Sequence, residues 1–379
     1  MVCEMAGSER SLRGAYCIAS KDNPDEGGGW DNQQLMKGIG LTMWLLAKNH
    51  GFRSVMVGNK CSENYPYLSQ MPELELEFLP KKGLMERLIY IDANAAGIDL
   101  LVCYGAYPHY VPIVEFYKQV RPDGKVYLAS DMNTRWAKKI PHEHPLYKKF
   151  LERCDLISVT NTTVQKYLQK NWQVPAELIR NGFYNFTGKS FDDVQKENII
   201  LTVGRIGTRQ KQNQILLEAF AAVADKLPDW TLRLVGEISE EFKSYIQAYF
   251  LSQPKLRGRV IFTGLIEDKA KLLEEYKRAK IFCLTSKFEG TPNAATEALI
   301  SGCYVITSEI DAANDIIDKG RCGKVFPIGD SARLSKLLKE ICRDEKLLLK
   351  GGQHAAAYAR AEFDAEKITA KLYEKLYGG

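Results

Sequence analysis

Short apolar runs alternate with longer helix-like stretches along almost all of the 379 residues, and no other feature constrains the fold as strongly. Runs at 16–20, 53–57, 73–79, 99–104, 125–130 and 155–159 in the first half read as strands, as do 198–203, 231–235, 259–263, 281–285, 304–307 and 324–326 in the second. The stretch 73–79 alternates charged and apolar residues, as an edge strand does, whereas several of the others are apolar throughout, as strands buried on both faces are. Helical patterns fill the gaps, among them 32–49, 111–120, 162–170, 212–226 and 269–279. Such alternation demands parallel pairing, because each return to the same end of a sheet uses a crossover helix. A chain of this length suits two domains rather than one. The expected architecture is α/β, with two Rossmann-like domains whose strand ends face a central cleft.

Asn181-Gly182 and the aperiodic polar stretch 184–197 interrupt the pattern and mark the linker. The expected division is a first domain at 1–185, a second at 198–360, and a helical tail at 361–379 that is free to cross back to the first.

Apolar residues make up 45% of the chain and charged residues 26%, with a formal charge of +5, so neither half is a nucleic-acid-binding block. A weak attraction to a membrane surface stays open. The nine cysteines are odd in number, widely spaced and without a CxxC, which fits free thiols in a reducing compartment rather than disulfides or zinc. Residues 1–14 are polar and charged, so no signal peptide is expected, and no apolar run approaches the roughly 18 residues needed to span a bilayer. A cytoplasmic protein is expected, meeting a membrane only peripherally at its inner face.

Chemistry concentrates at 286–297, Ser-Lys-Phe-Glu-Gly-Thr-Pro-Asn-Ala-Ala-Thr-Glu, which follows a buried strand. Gly290 turns the chain, Thr291 is suited to cap a helix, and Pro292 suits its first position. The amides at Asn293 to Thr296 then carry the positive end of a helix dipole, where an anion would be held. Glu289 before the helix and Glu297 within it supply two acceptors for hydroxyl groups. Together these meet the needs of a nucleotide sugar, which offers hydroxyls on the hexose, a diphosphate, and hydroxyls on the ribose. A strand–Gly–Pro–helix junction is also ordinary α/β architecture, so the reading rests on what accompanies it.

Val203-Gly204-Arg205 ends the first strand of the second domain, with Lys211 on the loop that follows. Arginine as a fork and lysine as a point charge make a diphosphate clamp, although a solvated basic loop is the alternative. Gly27-Gly28-Gly29 would let backbone amides approach a phosphate or sugar, but its spacing is not that of a dinucleotide fingerprint. Asp131, at the end of the strand 125–130, and His109, on the loop after 99–104, point toward the cleft as sugar- or acceptor-side candidates. No Asp-x-Asp occurs, which argues against a metal-bridged diphosphate.

On these residues the chain resembles the retaining, GT-B-type glycosyltransferases of sequence family 4. Glu289-Gly290 and Glu297-Ala298-Leu299 stand in that family's Glu–seven residues–Glu signature, Gly204-Arg205 with Lys211 resembles its Gly-Arg…Lys motif, and Phe262-Thr263-Gly264-Leu265 the strand whose end holds the base. The likeness is specific in the second half and only general in the first. It implies catalytic or charge-stabilising roles for Glu289, Arg205 and Lys211, and Asp131 joins them as a catalytic candidate from its place at the strand end. It implies donor contacts from Glu297, Gly290, Thr291, Pro292, Asn293, Ala294, Leu265, Gly28 and Gly29; His109, from its loop position alone, is the acceptor-side candidate. Implied too are transfer of a hexose-type sugar with retention, no metal and no cofactor, and a glycan, lipid-linked or protein acceptor in cell-surface glycan synthesis. Two departures stand out: Lys211 lies six residues after Arg205 where many relatives have five, and Ser130-Asp131 lacks the histidine common at that strand end. A nucleotide-sugar epimerase of similar fold, and a non-catalytic nucleotide-sugar-binding subunit, remain as alternatives.

Overall fold

A computed structural model describes residues 13–19, 28–188, 190–191 and 195–378. Gly27, Cys3 and the polar stretch 1–12 lie outside the described residues.

The strands of the first half are β1 (Arg13–Ile18), β2 (Gly29–Trp30), β3 (Phe52–Lys60), β4 (Leu74–Phe78), β5 (Leu100–Tyr104), β6 (Lys125–Ser130), β7 (Leu156–Val159) and β8 (Ala176–Leu178). They form one parallel sheet ordered β2-β3-β1-β5-β6-β7-β8, with β4 also paired to β3. Those of the second half are β9 (Glu197–Val203), β10 (Thr231–Val235), β11 (Val260–Gly264), β12 (Ala279–Leu284), β13 (Tyr304–Ser308) and β14 (Gly323–Phe326). They form a second parallel sheet ordered β11-β10-β9-β12-β13-β14. In each sheet the first strand of the half lies inside, and the order reverses on either side of it, which is where open α/β sheets bind ligands. Helices cover both faces, so each sheet lies between two apolar clusters. Central strands such as β12 and β13 are buried almost throughout. Each Leu, Ile or Val buried there contributes on the order of 1.5–3 kcal/mol, which offsets much of the ordering entropy.

The continuous helix expected at 32–49 is two helices, Asn32–Leu35 and Gly38–His50. Asp31 caps the first in a reciprocal box with Gln34, Lys37 is extended, and Gly38 takes a positive φ of 29°. A Cβ at Gly38 would lie 2.9 Å from Asn181 Oδ1, so the break is imposed by packing against the loop after β8, which no periodicity reports. The stretch 212–226 likewise shortens to a helix at Asn213–Ala221 and a separate turn at Ala224–Lys226.

The chain passes between the halves twice, and the two crossings lie side by side. Phe183 N–H donates to the Phe363 carbonyl at 2.7 Å, and Ala365 N–H to the Phe183 carbonyl at 3.1 Å. The last helix, Ala365–Tyr377, packs Leu372 and Leu376 into the cluster that holds Trp44, Leu45 and Phe52 of the first half. Tyr373 stacks on His50 with ring centroids 4.5 Å apart. The eight described cysteines are free thiols, and among the described residues no helix is long and apolar enough to cross a membrane.

Candidate functional site

Two loops from the second sheet build the site. The loop after β9 is tied to the turn after β12 by the Lys287 N–H, which donates to the Gln210 carbonyl at 2.7 Å, and by the Thr285 hydroxyl, which donates to the Lys211 carbonyl at 2.7 Å. This brings Lys211 Nζ to 2.6 Å from Glu289 Oε1, the oxygen that also accepts from Ser286 Oγ at 2.7 Å. Gln210 Nε2 donates to Glu289 Oε2 at 3.1 Å, and the Gln210 amide oxygen accepts from Arg205 at 3.1 Å. Lysine, glutamate and arginine therefore stand in one network. After Lys211 the backbone turns left-handed at Gln212, φ 48°, and Asn213 Oδ1 holds the Gly207 amide at 2.8 Å, which closes the loop on itself. Gln210 carries no local sequence signal beyond its position between the two basic residues.

The helix Asn293–Ile300 starts at Pro292, and no side chain caps it. Thr291 was expected to be that cap. Its hydroxyl instead donates to the Thr160 carbonyl at 3.1 Å and lies 3.0 Å from Thr160 Oγ1, because the loop is docked against the end of β7. The first amides of the helix are thus left without a capping side chain. Glu297 lies further along the helix and accepts from Tyr276 OH at 2.7 Å. Burial, then the Glu297 charge, holds that phenol well above its ordinary range, so it remains a donor.

Asp131 faces this loop from the first sheet. The residue is half-buried, but its carboxylate is enclosed. Asn181 Nδ2 donates to it at 2.8 Å and Thr160 Oγ1 at 3.1 Å, and the Thr291 amide also reaches it. Burial raises its pKa, those three hydrogen bonds oppose the rise, and the Glu289 charge adds to it. Gly290 lies directly against it, since a Cβ there would stand 2.3 Å from Asp131 Oδ1. With the carboxylate held by three donors, that clash has no easy relief. Gly290→Ala should therefore lower the thermal unfolding midpoint and reduce turnover together, read by calorimetry and by a donor-turnover assay.

The seam continues through two acids of the second half. Asp311 accepts from the Thr134 amide at 2.5 Å and the Thr134 hydroxyl at 3.1 Å. Asp315 accepts from the Thr162 amide at 2.8 Å and pairs with Arg180 at 3.1 Å. Both acids thus sit at the positive ends of first-half helices.

The other expected site residues are placed as follows. Leu265 follows β11 and is exposed. Gly28 and Gly29 are buried, and Gly29 pairs with β3 at Asn59. Arg87, buried and donating to the carbonyls of Ala19, Gly83 and Gly28, supports this turn from below, a contact with no local sequence signal. His109 is buried at the start of the helix Tyr110–Val120 and stacks on Tyr107. Arg135 of the first half lies 5.2 Å over the Phe288 ring, beside Glu289. Among the described residues no group of three or more His, Cys, Asp or Glu side chains is arranged to hold a metal ion.

Residues 197–344 match the family described as glycosyl transferases group 1. The chain is 26% identical over 211 residues, 53% of its own length and 55% of the relative's, to GalNAc-alpha-(1->4)-GalNAc-alpha-(1->3)-diNAcBac-PP-undecaprenol alpha-1,4-N-acetyl-D-galactosaminyltransferase of Campylobacter jejuni. It is 25% identical over 189 residues, 50% of its length and 47% of the relative's, to N-acetyl-alpha-D-glucosaminyl L-malate synthase of Bacillus anthracis. The chain thus spans about half the length of these curated relatives. Among solved structures, Anabaena HepE in complex with UDP superposes with a TM-score of 0.75 at 14% identity, covering 97% of this chain and 100% of that one, a likeness of fold.

Proposed function

We propose, from the match of residues 197–344 to the glycosyl transferases group 1 family and from the GT-B fold of the chain, a retaining glycosyltransferase that takes a hexose-type sugar from a nucleotide diphosphate sugar. The observation that carries this reading is the Lys211–Glu289 pair, 2.6 Å apart beside a helix tip without a capping side chain. The two groups neutralise each other, and a nucleotide sugar could divide them: its diphosphate takes the lysine, and its hexose hydroxyls take the glutamate.

In this reading Arg205 and Lys211 hold the diphosphate and stabilise charge as it leaves, and the amides at Asn293 and Ala294 add the helix dipole. Glu289 accepts from the transferred sugar and Glu297 from the ribose. The backbone at Leu265 meets the base. Asp131 holds the Gly290–Thr291 turn in place, and Thr291 and Pro292 set the entry to the helix. Gly28 and Gly29 shape the first-half wall, and His109 acts on the acceptor side through the stack with Tyr107. Transfer needs neither metal nor cofactor, because the cations and the helix tip supply the positive charge. The acceptor is a glycan, a lipid-linked saccharide or a protein in cell-surface glycan assembly, with peripheral contact to a membrane; the diphospho-undecaprenol saccharide in one relative's name supports the lipid-linked class.

Incubation with a panel of nucleotide sugars and acceptors tests this. Arg205→Ala should lower kcat/KM by about 10²-fold, the usual scale for losing one stabiliser of developing charge. Undiminished turnover in that variant would remove Arg205 from the site. Product formed without an acceptor would replace transfer with epimerisation.

A further inference from the structure

One cavity between the halves holds two cations that the reading above does not use. Its walls include Lys37 from the first half, and Lys269, Asn293, Thr296 and Glu297 from the second. Lys37 precedes the helix Gly38–His50 in extended backbone, at the break that Gly38 imposes. Lys269 opens the helix Lys269–Arg278. Neither lysine forms an ion pair among the described residues. Although much of Lys37 is open to solvent, the cleft walls rise around it. That burial first, then the charge on Lys269, pushes its ammonium below the ordinary lysine range. Glu297 and Asp31 act the other way, and Lys211 adds to the repulsion. Lys37 and Lys269, one from each side of the cleft, therefore face a common space beside the Asn293 helix tip.

A second observation is independent of these charges. Thr296 is 3% exposed, lines the same cavity, and its hydroxyl has no hydrogen-bond partner among the described residues. A buried hydroxyl left unpaired costs about 1–3 kcal/mol, which a ligand oxygen would recover. The cavity also meets the Asn293 end of the helix Asn293–Ile300, which no side chain caps. Apolar walls, with Met36, Leu272 and Tyr276 among them, lower the local dielectric and strengthen any charge contact made there.

We infer that Lys37, with Lys269 opposite it, completes the diphosphate clamp from the first half, so that the donor's anion bridges the cleft. This rests on the nucleotide-sugar reading and extends it to a residue outside the family signature. The ligand class is a nucleoside diphosphate, free or carrying its sugar. Without an anion the lysines repel across the cleft; with one, each gains a charge-assisted contact. The clamp thereby couples donor binding to closure of the two halves.

The test is the affinity of the full chain for UDP, GDP and ADP by titration calorimetry, and for the matching nucleosides by ligand-observed NMR. Wild type is compared with Lys37→Met, Lys37→Arg and Lys211→Met. Lys37→Met should weaken the preferred nucleoside diphosphate about 10-fold and flatten its salt dependence, with the nucleoside unaffected. Lys37→Arg should keep most of the affinity. If Lys37→Met binds as wild type does while Lys211→Met is weakened, the donor reading stands and Lys37 leaves it. If Lys37→Met weakens nucleoside and diphosphate equally, the residue is structural and the inference fails. If wild type binds none of the three diphosphates, the donor reading falls, and this inference with it.

Discussion

Glu289→Ala should reduce kcat/KM with the true donor by about 10²–10³-fold while leaving nucleoside diphosphate affinity intact or improved. The two directions follow from one geometry. Oε1 of Glu289 receives Lys211 and Ser286, and Oε2 receives Gln210. Removing the carboxylate takes away the acceptor for the transferred sugar, which is needed most as the anomeric centre becomes electron-poor. It also releases Lys211 from its counter-ion, so the ammonium meets the diphosphate without first giving up a partner. Steady-state kinetics and nucleotide titration on the same preparation measure both. Full activity in the variant would defeat the assignment of Glu289. A matched loss of activity and of nucleotide affinity would mean that the carboxylate serves only to hold the loop after β9.

Asp315→Ala should lower stability by about 3–5 kcal/mol, the scale for removing one member of a buried ion pair. Asp315 is 7% exposed, and the Arg180 side chain with which it pairs is 10% exposed. Its loss leaves that guanidinium with only the more distant, half-exposed Glu362 at 3.7 Å, and the Thr162 amide and hydroxyl, now 2.8 and 2.9 Å from the carboxylate, without their acceptor. A fall in the unfolding midpoint of roughly 5–10 °C follows, most visible for the transition that separates the halves. Asp311, whose side chain holds only the part-buried start of a four-residue helix and has no ion-pair partner among the described residues, should matter less. An unchanged midpoint in Asp315→Ala would show that the seam contributes little to the folded state.

Much of the architecture was legible because its signals are local and repeated. Runs such as 125–130 and 231–235 are apolar and short, and the structure places strands over these same residues. Edge strand β4 announced itself by alternation, since only one of its faces is covered. The breaks were harder. The helix over 32–49 has no proline to stop it, and its interruption at Lys37 and Gly38 depends on Asn181, far away in sequence. Thr291 looked like a cap because Thr before Pro-Asn is a good one. Its hydroxyl went elsewhere because β7 of the other sheet stands within reach.

The site divides in the same way. Spacing alone places Glu289, Arg205 and Lys211 on strand-end loops and Glu297 in the adjoining helix, and the structure finds them there. Gln210, Thr160, Asn181 and Lys37 were not readable in this way, since each matters only through a partner on another element.

The amino-acid order by itself determined that this chain forms two parallel α/β sheets, and which loop after which strand would carry acids and bases. Those properties depend on periodicity and on residues close along the backbone. Tertiary structure alone decided that Lys211 meets Glu289 through Gln210, that Asp131 presses on Gly290, and that Lys37 shares a cavity with Glu297. Those contacts join segments tens to hundreds of residues apart, and charge and shape act over ångströms of space regardless of distance along the chain.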